Sequence, residues 1–249
     1  MTDVNSDGLL DIYLSTYGFP GMRDRQAWLS RFLLPEQRRA YNKKGNAPGS
    51  SRFLNAPGPP NYLLINNGDG FVLSDHSSQL ELYQNTFQSS WSDYDNDGDP
   101  DLYVANDFAP DALFRNDGDA GFSNVTSTVG HETMMGFGMG AAWGDYDLDG
   151  HRDLYVSNMF SKAGIRITEH FADLDKRFRR SADGNRLYRN GSEGFELVSA
   201  NESPGLEVHK AGWSWGGQFV DFNNDSFLDL YVSSGYFTAP GGLEIEKDL

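Results

Sequence analysis

A chain of 249 residues with 36 acidic and 20 basic side chains carries a formal charge of −16, which opposes nucleic acid or an anionic membrane as its main partner. With no cysteine it can form neither disulfides nor thiolate metal sites, and no apolar run approaches the ~20 residues that a membrane-spanning helix needs. Aromatic residues make up 14%, more than a disordered composition holds, and 28 glycines beside 10 prolines point to many short strands joined by tight turns, an all-β chain.

In chain order, the first element is an acidic loop, Asp3-Val-Asn5-Ser-Asp7-Gly8-Leu9-Leu-Asp11, running into a strand at Ile12-Tyr13-Leu14. Met1 to Asn5 has neither the basic start nor the apolar stretch of a signal peptide, so any export signal is expected outside this sequence. Residues 20–60 form a first insertion, with Trp28 and Phe32 on one helical face, a break at Pro35 and a restart over Glu36 to Lys44. Asn61-Tyr-Leu-Leu-Ile-Asn66 and the turn residues leading to Phe71 then read as a hairpin.

The next unit repeats this order: a strand from Phe87 to Trp91, the loop Asp93 to Asp101, the strand Asp101-Leu-Tyr-Val104, and a hairpin from Asp111 through Asn116 to Phe122. A third follows, with a strand from Met139 to Trp143, the loop Asp145 to Asp153, Asp153-Leu-Tyr-Val156, and a hairpin from Asn185 through Asn190 to Phe195. Its insertion, residues 160–184, has Thr168 as an N-cap and Phe171, Leu174 and Phe178 on one helical face. The fourth holds the strand Trp215 to Phe219, the loop Asp221 to Asp229, and Asp229-Leu-Tyr-Val232.

All four loops read D-x-[DN]-x-D-[GS]-x-x-D, and together they contain 15 of the 36 acids but one base, Arg152. Carboxylates this dense repel unless a cation sits among them, and oxygen donors at alternating positions converge on a hard ion. The side-chain donors are Asp3, Asn5 and Asp7; Asp93, Asp95 and Asp97; Asp145, Asp147 and Asp149; and Asp221, Asn223 and Asp225. Position 7 (Leu9, Asp99, His151, Phe227) would offer its carbonyl and position 9 (Asp11, Asp101, Asp153, Asp229) a carboxylate. Ca2+ suits such a flexible oxygen cage better than octahedral Mg2+, giving up to four sites, of which 93–101 and 145–153 have the fullest ligand sets. The competing reading is a set of Asp/Asn/Gly turns that bind nothing. An EF-hand is excluded, because position 12 is Leu14, Val104, Val156 or Val232 instead of a glutamate, and a strand follows each loop.

The loop starts are unevenly spaced only because two repeats carry extra residues between the post-loop strand and the hairpin. The underlying unit is about fifty residues of four strands, the size of one propeller blade. Repeats fall at 1–84, 85–135, 136–210 and 211–249. The loop with its Leu-Tyr-Val strand, together with Gly136-Phe137-Gly138 leading to Trp143-Gly144, resembles the FG-GAP/VCBS repeat of calcium-binding β-propellers of the integrin alpha-subunit type. The Trp-Gly-Asp-Tyr-Asp and Asn-x-Leu-Tyr-Arg-Asn wording is most similar to ASPIC/UnbV-type repeat proteins. The resemblance implies a propeller, commonly of seven blades, exported, stabilised by calcium and serving recognition. Strand counts of three, four, four and two do not close a ring, so a partial propeller from a longer chain is expected. Ser226 in place of glycine and the missing strand before the first loop depart from the pattern.

Strand connections in an antiparallel meander alternate between the two ends of a sheet, so the loops should share one face and the two insertions the opposite one. From Arg23 to Lys44 there are seven bases against two acids, and Lys176, Arg177, Arg179 and Arg180 crowd the second insertion. These bases either stay solvated on helices covering that face or bind an acidic protein or glycan ligand. The favoured function is a calcium-stabilised, non-catalytic interaction or adhesion module, extracellular or periplasmic, where calcium is abundant. The alternative is a calcium-dependent carbohydrate-active enzyme, a lyase or hydratase, acting from the insertion face through His170 with Glu169 and Arg166. Sequons stand at Asn124, Asn190 and Asn201.

Overall fold

The Leu-Tyr-Val run after an acidic loop has no polar member to turn toward water, so as a strand it needs cover on both faces. A computed structural model describes residues 1–18, 33–46, 57–129, 135–160, 177, 181–199 and 206–235 and shows that cover being supplied by neighbouring antiparallel sheets in repeats two and three, whereas Tyr231 in the run of repeat four is exposed.

Sheet one contains β1 (Ile12–Leu14), β2 (Tyr62–Asn66) and β3 (Phe71–Leu73) in that order. Sheet two contains β4 (Thr86–Ser92), β5 (Asp101–Pro110), β6 (Ala112–Asn116) and β7 (Phe122–Asn124); β8 (Met135–Phe137) pairs with the far end of β5. Sheet three contains β9 (Gly140–Gly144), β10 (Asp153–Ser157), β11 (Arg186–Gly191) and β12 (Gly194–Leu197), and sheet four β13 (Ser214–Val220) and β14 (Asp229–Ser234). Among the described residues the strand counts match the sequence reading apart from β8. The strand missing before the first loop leaves its last residue: Thr2 pairs with Asp11, in the register of Ser92 with Asp101, Gly144 with Asp153 and Val220 with Asp229.

Side chains alternate along β5, and the two sets go to different neighbours. Leu102 and Val104, with Ala112 and Phe114 of β6, pack on Val4, Tyr13, Leu63 and Leu80 of repeat one. Tyr103, Ala105 and Leu113 pack on Ala141, Leu154, Val156 and Tyr188 of repeat three. Leu102 to Ala105 have no exposed surface, and at about 1.5–3 kcal/mol per large apolar side chain these two seams contribute strongly to stability. The aromatic residue two places before each loop has the same job three times. Trp91 meets Tyr13, Trp143 meets Tyr103 and Phe219 meets Tyr155, edge to face, at centroid distances of 6.3, 6.3 and 6.4 Å.

The acidic loops join the first and second strands of each repeat, and the chain leaves the second strand and re-enters the third at the opposite end of the sheet. In the first insertion a helix, α1 (Pro35–Gly45), covers the restart read over Glu36 to Lys44 and takes Pro35 into its first turn. Its Tyr41, with Leu33, packs on Tyr83 in the connection from β3 to β4, which emerges at the end away from the loops. The helix read around Trp28 and Phe32, and that read from Thr168 to Phe178 apart from Arg177, lie outside the described residues, as does His170.

Candidate metal centre

Each loop is built by its own carboxylates before any cation is considered. The first aspartate takes two backbone N–H groups, those of positions 5 and 6: Asp3 from Asp7 and Gly8, Asp93 from Asp97 and Gly98, Asp145 from Asp149 and Gly150, Asp221 from Asp225 and Ser226. The position 5 carboxylate then accepts the N–H of position 7, namely Leu9, Asp99, His151 or Phe227. Such tight winding requires two left-handed residues. Position 6 is one, at φ 87°, 98° and 90° for Gly8, Gly98 and Gly150 and 73° for Ser226. Position 4 is the other: Ser6, Asn96, Leu148 and Asn224 lie at φ 58° to 61°. Sequence reading found the first and missed the second, although asparagine, which tolerates this region, holds position 4 in two of the four loops.

Position 9 ties the loop to the sheet. Its Oδ2 accepts the N–H of position 2 in all four loops, from Val4, Tyr94, Tyr146 and Phe222 to Asp11, Asp101, Asp153 and Asp229. Its Oδ1 accepts the N–H of the hairpin asparagine, from Asn66 to Asp11, Asn116 to Asp101 and Asn190 to Asp153, at 2.8 Å each time. The same asparagines join adjacent repeats: Asn116 Nδ2 donates to Val4 O at 3.0 Å and Asn190 Nδ2 to Tyr94 O at 2.7 Å. That role explains why the hairpin motif ends in asparagine, which spacing alone did not show.

Among the described residues, carboxylate oxygens converge within 4.8 Å in two loops, as Asp93, Asp95 and Asp101 and as Asp145, Asp147 and Asp149. The two groups are neighbours, since Asn96 Nδ2 donates to Gly150 O across 3.2 Å. Burial pushes Asp101 up to about 7, with Asp95 and Asp97 adding to it, against the pull of two backbone N–H bonds. Burial likewise raises Asp153 to about 6, and burial followed by Asp97 and Asp93 raises Asp95. Asp147 Oδ1 is buried and has no hydrogen-bond partner. An all-oxygen set with mutual repulsion and an unmatched buried lone pair fits a hard divalent cation, whose charge would reverse these upward shifts.

Loops one and four differ in kind. Asn5 and Asn223 turn their amides to the position 5 carboxylate, Nδ2 to Oδ2 of Asp7 at 3.1 Å and of Asp225 at 2.9 Å, so one repulsion is replaced by a hydrogen bond. They offer one carboxylate fewer than loops two and three. A cleft of about 400 Å³ between loops two and three is lined by Trp91, Ser92, Asp93, Asn96, Trp143 and Arg152. It contains no histidine, and His151 touches Asn96 outside it.

Residues 93–156 match the FG-GAP-like repeat family. The chain is also similar to cartilage acidic protein 1 of Xenopus tropicalis, 26% identical over 171 residues, and of Homo sapiens, 27% identical over 173 residues. Each match takes in 54% of this chain and 26% of the relative, so the chain spans about a quarter of the length of the curated relatives it matches.

Proposed function

We propose, from the premise that this chain carries FG-GAP-like repeats, that it is a non-catalytic interaction module working outside the cytoplasm and stabilised by Ca2+ in its acidic loops. The observation that carries the reading is the convergence of three carboxylates within 4.8 Å in each of two adjacent loops, at the mouths of the most buried strands. Asp93, Asp95, Asp97 and Asp101, and Asp145, Asp147, Asp149 and Asp153, would hold the ions, and bound calcium would supply neutralisation and no reaction step. Its supply outside cells, together with the likeness to cartilage acidic protein 1, supports an extracellular or periplasmic setting.

A cation that binds only the folded state stabilises it by about 2.7 kcal/mol per site at a hundredfold excess over Kd. Excess chelator should therefore lower the melting temperature well below that in millimolar calcium, at matched ionic strength. Superimposed melting curves would reject the reading.

The partner would bind at the insertion end. Helix α1 carries Arg38, Arg39, Lys43 and Lys44 against Glu36 alone, on a chain of charge −16, which favours an acidic protein or glycan. Arg38→Glu with Arg39→Glu should abolish capture of an anionic glycan such as heparin while leaving calcium content unchanged. Capture that survives would make these bases solvated cover.

A further inference from the structure

The fifth residue of the hairpin motif differs among the three repeats, being Ile65, Arg115 and Arg189. The two arginines go to different places. Arg115 Nε donates to Asp117 Oδ1 at 2.7 Å, within its own turn. Repeat three has Gly191 where repeat two has Asp117, so the equivalent partner is missing, and Arg189 pairs neither with Glu193 of its turn nor with Glu196 opposite it. It reaches the loop instead, with Nε on Asp147 Oδ2 at 2.6 Å and Nη2 on Asp149 Oδ2 at 3.3 Å.

We infer that Arg189 is a built-in counter-cation of loop three, holding Asp147 and Asp149 together without metal and competing with a divalent ion for the same oxygens. Among the described residues no arginine or lysine pairs with a carboxylate of loop two, where Arg115 acts on Asp95 only through space. The two loops, equivalent by their ligand sets, are thereby set to different calcium affinities, with loop two the tighter and loop three the one that keeps its shape when calcium is scarce. Arg189 and both carboxylates are partly exposed, so the latch is weak enough for a divalent cation to displace. The difference in affinity rests on the proposed calcium binding; the latch itself does not.

The test uses the full chain and reads each loop from one amide resonance, Gly98 for loop two and Gly150 for loop three, since both N–H groups bond the first aspartate of their loop. In a calcium titration Gly98 should saturate first. Arg189→Gln should tighten the Gly150 midpoint by about three- to tenfold, the scale expected for removing one nearby positive charge at a solvated site. Arg115→Gln should leave the Gly98 midpoint within about twofold. Gly191→Asp, which has room because an added Cβ would come no closer than 3.9 Å to Asp149, should draw Arg189 away and also tighten loop three. A Gly150 midpoint unmoved by Arg189→Gln, or an equal response of Gly98 to Arg115→Gln, overturns the assignment. If neither amide titrates, the calcium reading fails while the latch is still judged in chelator: Arg189→Gln must then shift Gly150 and His151 at low salt but not in molar salt, and the absence of that shift removes the latch too.

Discussion

Leu148 stands at φ 60° and is 53% exposed, in a loop position that repeats two and four fill with asparagine. A left-handed conformation costs an ordinary L-residue roughly 1–2 kcal/mol, and asparagine less, while so exposed a leucine loses little packing when replaced. Leu148→Asn should raise stability by about 0.5–1 kcal/mol, read as a higher urea midpoint at unchanged slope. A lower midpoint would mean that Leu148 supports the loop in some way its φ does not express. Glycine at position 6 was legible in the sequence because one residue type dominates there. Position 4 was not, since serine, asparagine and leucine all occupy it and the constraint lies in the backbone.

At the scale of the strand and hairpin, the first residue of each hairpin motif pins the strand before it. Asn61, Asp111 and Asn185 accept the backbone N–H of Thr16, Asn106 and Asn158. Asp111 also accepts from Tyr103 Oη at 2.8 Å, and burial pushes it up to about 7 despite both bonds and nearby Arg186. Asp107, in β5, is raised by burial to about 6. A carboxyl raised in the folded state favours folding fully below its unfolded value near 4, and that contribution is lost as pH rises through 6 and 7. In calcium-saturated buffer, stability should accordingly decline from pH 5 to pH 8. Asp111→Asn should reduce that decline, because Asn61 at the equivalent position accepts the Thr16 N–H and donates to Tyr13 Oη without a titrating group. An identical pH slope in wild type and variant would show that Asp111 does not titrate in this range.

Across the whole molecule, the sheets hold each other through apolar seams, edge-to-face aromatic pairs and the hairpin asparagines. Asn190→Ala, which leaves the Tyr94 carbonyl without its donor, should cost about 1–3 kcal/mol, while Asn66→Ala should cost much less, because Asn66 bonds only within its own repeat, Nδ2 donating to exposed Leu10 O at 3.3 Å and Oδ1 accepting the exposed Gly68 N–H at 3.0 Å. Trp143→Ala should cost about 3–5 kcal/mol through the contacts it loses with Tyr103, Tyr94 and Phe195. Denaturant unfolding of the three variants checks both statements, and equal losses for Asn66 and Asn190 would deny the asparagine its role between repeats. The loops, the strand after each, the hairpins and the all-β class were determined by the sequence itself, because alternation, glycine placement and oxygen-donor spacing act over fewer than about ten residues. Where an arginine 42 residues away in the chain settles and which carbonyl a hairpin amide bridges were decided only by the tertiary structure. Those contacts join different strands and repeats, and their partners are chosen by sheet register and by what the neighbouring turn happens to offer, as Asp117 and Gly191 do for their arginines.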